Sequence, residues 1–232
     1  MRRLFENNGL RSELLRQRVD EEMQWLQKII ELLSLAKSRS DASRAQLVEN
    51  ITDLFLSDEG RLSEHERALM SEILSKLIKQ VEADVRKELA DVLLRSGIDM
   101  PEVAKLLAND SIEIARPLLE KSDLLKDPDL IEIIKMRTDE HRMAITMRAD
   151  LSEQVSDALV EYGSEDVLES LLNNHDTKIS KRAMEYMVTE SRRVDRFQEP
   201  LLMRADLSPE LAYKMYWWVS AALRKKIITD FD

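Results

Sequence analysis

The side chains best suited to metal binding and proton transfer are scarce in this sequence. The chain of 232 residues contains three histidines and no cysteine. His65, His141 and His175 have neither the His-x-x-x-His spacing nor a Glu-x-x-His pair, which would place two metal ligands on one face of a helix. We interpret them as solvated or helix-capping residues, and we expect neither a metal nor a cofactor.

The many carboxylates indicate a structural role rather than catalysis. Four aspartates occupy equivalent turns of the repeat units described below: Asp123, Asp150, Asp176 and Asp206. An aspartate in such a turn can accept hydrogen bonds from backbone amides. The sequence has no Gly-x-Ser-x-Gly nucleophile motif and no glycine-rich phosphate loop. We therefore expect no catalytic residues and predict that the protein is not an enzyme.

Two arginines stand at equivalent positions beside two of these aspartates. Arg148 lies two residues before Asp150, and Arg204 lies two residues before Asp206. Because a guanidinium group pairs with a carboxylate through two parallel hydrogen bonds, two interpretations remain open. The arginines form struts between neighbouring repeat units, or they present a row of positive charge to the carboxylates of a partner.

A second group of arginines lies where helical propensity breaks, near Ser191 and Pro200. Its members are Arg192, Arg193 and Arg196. This cluster could hold an anion or an acidic peptide, although short charge runs are more often simply a solvated face. The basic run 224–226 leaves the same two interpretations open.

Two adjacent tryptophans, Trp217 and Trp218, are further candidates for partner contact. A helix places neighbouring residues about 100° apart, so one ring can be buried while the other lies at the rim. Tyr213 and Tyr216 enlarge this aromatic patch. We expect further repeats to cover it if the chain is truncated at its C-terminus; otherwise the exposed rings would favour contact with a partner.

The composition and the apolar periodicity predict an all-α protein. Hydrophobic residues make up 44% and aromatic residues only 5% of the chain, and the dominant residue types are good helix formers. We expect an N-terminal helical bundle over residues 1–83, formed by a long first helix over 10–37 and a helical hairpin. The first helix either packs on its neighbour or pairs two chains as a homodimer.

An internal repeat organises residues 84–232. The segment Met147–Ser152 recurs as Met203–Ser208, and residues able to cap a helix stand at positions 99, 127, 152, 180 and 208. Apolar residues follow these caps at helical spacing. A single short helix pair cannot bury its apolar face, whereas stacked pairs share one core. The sequence therefore predicts a short α-solenoid of four to five HEAT-like helix–turn–helix units.

Charge and termini restrict the partners and the location. The net charge is −10, and the acidic excess lies in residues 41–232, which opposes binding to nucleic acid. No secretory signal and no apolar run long enough to span a membrane is present. With no cysteine in the chain, we expect a cytoplasmic protein.

Three segments resemble an uncharacterised alphaproteobacterial family of cytoplasmic helical-repeat proteins, known as a domain of unknown function. They are residues 62–67 running into Ile73-Leu74, the paired Arg-Ala-Asp-Leu-Ser motifs, and residues 216–219. The units also resemble HEAT-like and leucine-rich-repeat-variant arrays. The resemblance covers about residues 43–228. It implies an α-helical repeat fold and no established activity.

Two functions remain in competition. The first is a non-enzymatic scaffold or regulator that binds another protein on its helical-repeat surface. The second is an effector-binding regulator that recognises an anionic small molecule or a nucleotide through the arginine cluster 192, 193 and 196.

Overall fold

In a computed structural model of the chain, the described residues are 81–96 and 100–231, together with seven isolated positions: 46, 50, 72, 75, 76, 78 and 79. Several predictions made from the sequence lie outside these residues. They are the N-terminal helical bundle with its first helix over 10–37 and its helical hairpin, the dimerisation through that first helix, and the helix cap at position 99.

Within the described residues the chain is entirely helical, which confirms the predicted fold class. There are eleven α-helices, one short 3₁₀ helix over Asp195–Phe197 and no strand in this part of the chain. The α-helices are α1 Ala83–Ser96, α2 Pro101–Ala108, α3 Ile112–Lys121, α4 Asp127–Met136, α5 Asp139–Thr146, α6 Glu153–Tyr162, α7 Glu165–Asn173, α8 Lys181–Glu190, α9 Gln198–Met203, α10 Pro209–Met215 and α11 Ala221–Asp230.

The chain divides into two compact units, Met1–Val92 and Leu93–Asp232. The division falls inside α1, whereas the sequence analysis places a domain boundary at the beginning of the same helix. The second unit contains both copies of the motif, Met147–Ser152 and Met203–Ser208.

Helices of the second unit pack in two rows. In the first row α3 contacts α5, α5 contacts α7, α7 contacts α9, and α9 contacts α11. In the second row α4 contacts α6, α6 contacts α8, and α8 contacts α10. Each helix pair therefore contributes one helix to each row, and its apolar side is covered by the preceding and following pairs.

Serine side chains cap three second-row helices, as the repeat predicts. Each hydroxyl oxygen accepts a hydrogen bond from the amide three residues later. The three bonds are Val155 N–H to Ser152 at 3.3 Å, Ala183 N–H to Ser180 at 3.1 Å, and Leu211 N–H to Ser208 at 3.4 Å. Such a bond satisfies one of the amides that have no partner inside the helix.

The cap predicted at Asp127 is displaced by one residue. Asp127 is the first residue of α4, and Lys126 precedes the helix. The carboxylate of Asp129 accepts a hydrogen bond from the Lys126 amide at 3.0 Å, so the third helical residue closes this helix end. Pro128 in the first turn is compatible with that start because its missing N–H would have had no helical partner.

The apolar positions of the repeat form the shared core. Three and seven residues after the serine caps, every side chain is buried: Val155, Leu159, Ala183, Met187, Leu211 and Met215. The first-row side chains expected to face them are buried as well: Leu119, Ile145, Leu172 and Leu201. Full burial of a leucine or methionine side chain contributes about 1.5–3 kcal/mol, so these contacts between pairs are the main stabilisation of the unit.

Candidate functional site

Arg148 connects its turn to the preceding helix pair. Its guanidinium group donates hydrogen bonds to the carbonyl oxygens of Leu119 at 2.8 Å and Ser122 at 2.9 Å. Both acceptors lie at the end of α3, one repeat earlier in the chain. Burial lowers the pKa of Arg148, and the charges of Asp123 and Asp127 counteract part of this effect. An arginine remains charged even so.

Arg204, in the second copy of the motif, makes the same connection to the preceding helix pair and is more deeply buried than Arg148. It donates to the carbonyl oxygens of Asn174 and Thr177, both at 2.8 Å. It also forms two hydrogen bonds of 2.8 Å to the carboxylate of Asp206. Only 3% of the residue is exposed, so its donors point into the protein and not toward a partner.

Asn174 provides the corresponding connection at the intervening turn. Its side-chain amide donates to the carbonyl oxygens of Thr146 and Arg148, both at 2.7 Å. The sequence analysis missed this residue. The one sequence feature that could have indicated this role is its place: Asn174 stands in the turn halfway between the two motifs, and this turn contains no arginine.

These contacts decide between the two interpretations of the motif arginines. Arg148, Asn174 and Arg204 join four successive turns through side-chain bonds to backbone carbonyls. The geometry therefore favours the interpretation that the motif arginines are struts between units. The other interpretation, a row of arginines presented to a partner, is wrong for Arg204. The expected ladder of Arg–Asp contacts between units is also not found, because the acceptors in the neighbouring unit are carbonyl oxygens.

The four turn aspartates do not act as predicted either. Asp206 accepts hydrogen bonds from Arg204. Asp123, Asp150 and Asp176 are exposed, and no backbone amide among the described residues donates to their side chains. Asp150 has a φ of 55° and is the one non-glycine residue of the described part with a positive φ.

The arginine cluster 192, 193 and 196 is occupied by groups of the chain itself. Arg193 bonds to Glu165 and Glu190 at 2.8 and 2.9 Å. Arg196 pairs with Glu165, Asp166 and Glu169 at the beginning of α7. These bonds lower the pKa of the Glu165 carboxyl, with the Arg193 hydrogen bond as the largest cause.

The third member of that cluster, Arg192, stacks on an aromatic ring. Its guanidinium lies 5.4 Å from the ring centre of Trp218, which is a cation–π distance. The Trp218 indole N–H also donates to the Ser191 hydroxyl at 3.1 Å. None of the three arginines is therefore arranged as an open anion site.

One tryptophan is half-buried and the other exposed, as expected, but both lie in the turn after α10 and not in a helix. Trp218 is half-buried, whereas Trp217 is 80% exposed and forms an edge-to-face ring contact with the neighbouring Tyr216, at 5.8 Å between centroids. The basic run is partly occupied: Arg224 stacks over Tyr216, and Lys226 pairs with Asp230.

The two histidines in the described part of the chain differ in burial. His141 is buried, and its ring nitrogens lie 2.9 Å from the Thr138 hydroxyl and 2.9 Å from the Asp110 carbonyl oxygen. It is thus another link between successive turns. His175 is exposed, and His65 lies outside the described residues. No group of metal-ligating side chains occurs among the residues that the structure describes.

The second row carries one surface whose residues also recur with the repeat. We call it the outer face: it comprises the positions one, five and nine residues after 127, 152, 180 and 208. All twelve are exposed: Pro128, Glu132, Met136, Glu153, Asp157, Glu161, Lys181, Glu185, Thr189, Pro209, Tyr213 and Trp217. A spacing of four keeps residues of one helix on one side; Trp217 lies two residues beyond the end of α10.

The character of the outer face changes from helix to helix. On α6 it consists of three carboxylates, Glu153, Asp157 and Glu161, which we call the acidic stripe. On α8 Lys181 and Glu185 pair at 3.9 Å. At α10 it is aromatic: Tyr213 lies on the helix, and Trp217 lies two residues beyond its end.

An open groove lies between α6 and α8 beside the acidic stripe. Its volume is about 610 Å³, and it is lined by six residues: Asp157, Val160, Glu161, Arg182, Ala183 and Tyr186. The walls therefore combine carboxylates, one guanidinium, an aromatic ring and two small apolar groups. Such a mixture can hold both charged and apolar parts of a ligand.

No helix in the described part of the chain is long and apolar enough to cross a membrane.

A comparison with known families matches the region that holds these features. The family model is that of an uncharacterised protein conserved in bacteria, DUF2336, and it covers residues 114–232. The match begins at Ile114, whereas the resemblance seen in the sequence begins near residue 43. No curated protein and no solved structure matches the chain. Because the match spans more than half of the sequence and includes all the struts and the outer face, the chain belongs to the bacterial family DUF2336.

Proposed function

We propose that this protein is a non-enzymatic protein-interaction module that binds another protein on the outer face of an α-solenoid. The observation that carries the proposal is the separation of two recurring sets of residues. Arg148 and Arg204 of the motif bond to backbone carbonyl oxygens of the preceding helix pair, whereas all twelve residues of the equally periodic outer face are exposed.

The exposed apolar side chains of this face support a binding role. Trp217 is 80% exposed and Met136 is 75% exposed. Tyr186, on the groove wall, and Tyr213 are also among the exposed large side chains. Tryptophan and tyrosine are enriched at the energetically dominant positions of protein interfaces because they bury a large area with few rotatable bonds.

A partner protein fits this surface better than an anionic small molecule does. The alternative function depends on arginines 192, 193 and 196, which already bond to carboxylates or to Trp218. Binding an anion there would require breaking these contacts. The outer face, in contrast, extends over four helices and is accessible as it stands.

Affinity capture with mass spectrometry tests the proposal. The tagged full chain is compared with the variant Tyr213→Ala/Trp217→Ala in a bacterial lysate. A control, Met147→Ala/Met203→Ala, removes two exposed apolar side chains of 64% and 51% exposure at the turns. We expect a specific partner that the control retains and the aromatic variant loses. Retention by the aromatic variant, or loss only in the control, would exclude the outer face as the binding surface.

A further inference from the structure

We infer that the partner segment bound by the outer face is basic at one end and apolar at the other, with its lysines or arginines on α6 and its apolar side chain on α10. This inference deepens the proposed function and depends on it. It specifies the chemistry of the partner segment and the direction in which that segment lies along the outer face.

The acidic stripe provides the first half of the argument. Glu153, Asp157 and Glu161 are exposed, and no lysine or arginine of the described chain lies within ion-pairing distance of them. The one polar contact among them is a hydrogen bond from the Ser180 hydroxyl to Asp157. Glu132, at the matching position on α4, is also exposed and without an ion pair to a described residue.

The stripe places three exposed carboxylates without an ion pair to a described residue on one helix, whereas the exposed carboxylates of α8 and α10 have lysine partners. Glu185 pairs with Lys181, and Glu210 pairs with Lys214. The groove beside the stripe contains Asp157 and Glu161 against the single cation Arg182. Complementary charge is how interfaces select and orient partners, so this end of the surface favours a segment rich in lysine or arginine.

The aromatic end provides the second half. Tyr213 on α10 corresponds in the repeat to Asp157 on α6, and Trp217, two residues beyond the end of α10, corresponds to Glu161. They carry no charge and offer apolar area to a partner. Adjacent packed helices lie about 8–10 Å apart, so the two ends are separated by about 16–20 Å. A helical partner needs about 11–13 residues to span that distance.

A designed peptide tests this directly with the purified full chain. The probe is a fluorescein-labelled amphipathic helix of about 13 residues with lysines at one end and leucine and phenylalanine at the other. A second probe has each lysine replaced by glutamate. Binding is measured by fluorescence anisotropy at low and at high salt. We expect the basic probe to bind, the acidic probe not to bind, and added salt to weaken the complex by screening exposed charges.

Two matched variants locate the site. Glu153→Gln/Asp157→Asn/Glu161→Gln removes the stripe, whereas Glu140→Gln/Asp176→Asn/Glu199→Gln removes three exposed, unpaired carboxylates elsewhere. Both change the net charge equally. We expect the dissociation constant to rise about tenfold or more in the stripe variant and to stay nearly constant in the control. Trp217→Ala should also weaken binding, with little dependence on salt.

Other outcomes separate this inference from the proposed function. If the stripe and control variants bound the basic probe equally weakly, the probe would be attracted by net charge alone. If the acidic probe bound instead, the charge assigned to the partner segment would be wrong. Either result overturns the inference. Circular dichroism verifies that each variant is folded. If the triple variant is unstable, the double variant Glu153→Gln/Glu161→Gln replaces it, because this variant keeps the Ser180–Asp157 hydrogen bond. If a captured natural partner depends on Trp217 but not on the stripe, the proposed function stands and this inference falls.

Discussion

The turns of Arg148 and Arg204 carry the same six-residue motif and differ in how they neutralise the buried charge. In both turns the guanidinium bonds to carbonyl oxygens of the preceding pair. Arg204 is also held by two bonds to Asp206. Asp150, the equivalent of Asp206, is exposed with a positive φ, and no such bond to Arg148 forms. An identical motif therefore determines the connection between units but not the ion pair.

The difference between the two turns follows from how deeply each arginine is buried. Arg204 is almost completely buried, and an unpaired charge at such a depth costs several kcal/mol. Asp206 supplies the counter-charge within its own turn. Arg148 is only half-buried, so solvent and the more distant charges of Asp123 and Asp127 suffice. Its turn can therefore leave Asp150 in solvent.

The largest expected effect follows from this comparison. Arg204→Ala should destabilise the protein by about 3–5 kcal/mol, because it breaks a buried pair and removes the side-chain donor to the Thr177 carbonyl oxygen. Arg148→Ala should cost less, about 1–3 kcal/mol, because it removes the donor to the carbonyl oxygens of Leu119 and Ser122 but breaks no ion pair with a carboxylate of its own turn. Urea unfolding monitored by circular dichroism measures both. Equal losses would show that the Asp206 pair adds nothing to the strut.

Much of the second unit could be predicted from its sequence because caps and core positions are local features. A serine before an apolar stripe has one main way to satisfy the first amides of a helix, and Ser152, Ser180 and Ser208 all do so. The same spacing places Leu159 and Met187 in the core. Asp127 misled the prediction because the following Pro128 allows the helix to begin one residue earlier than the cap pattern implies.

The candidate site could be predicted only in part, because its polar contacts join residues far apart in sequence. The acceptors of Arg148 and Arg204 are backbone carbonyls, which every residue possesses, so residue type does not reveal them. Arg193 and Arg196 find their carboxylates on α7, about one repeat earlier. The outer face could have been predicted from the repeat itself, because its positions stand one, five and nine residues after four of the predicted caps.

A smaller effect tests whether the two turns share the same helix start. Ser152→Ala and Ser208→Ala should each cost about 0.5–2 kcal/mol, since each removes the acceptor of one amide in the first helical turn. Ser111→Ala is a suitable control, because Ser111 precedes α3 without a side-chain cap bond and should change stability little. If the control lost as much as the caps in chemical denaturation, the stabilisation would not arise from the capping bonds.

The smallest expected effect is that of replacing Asp150 or Asp206 by glycine. We expect the change in stability to have opposite signs in the two turns. Asp150→Gly should stabilise the protein by about 0.5 kcal/mol, because a left-handed backbone costs a side-chain-bearing residue about 1 kcal/mol and glycine's freedom in the unfolded chain offsets part of that gain. Asp206→Gly should destabilise it, since Arg204 would lose its counter-charge. Urea midpoints measured side by side resolve the two signs. Destabilisation by both substitutions would mean that Asp150 makes a stabilising contribution outweighing its backbone strain, and the contrast between the turns would then be smaller than their geometry indicates.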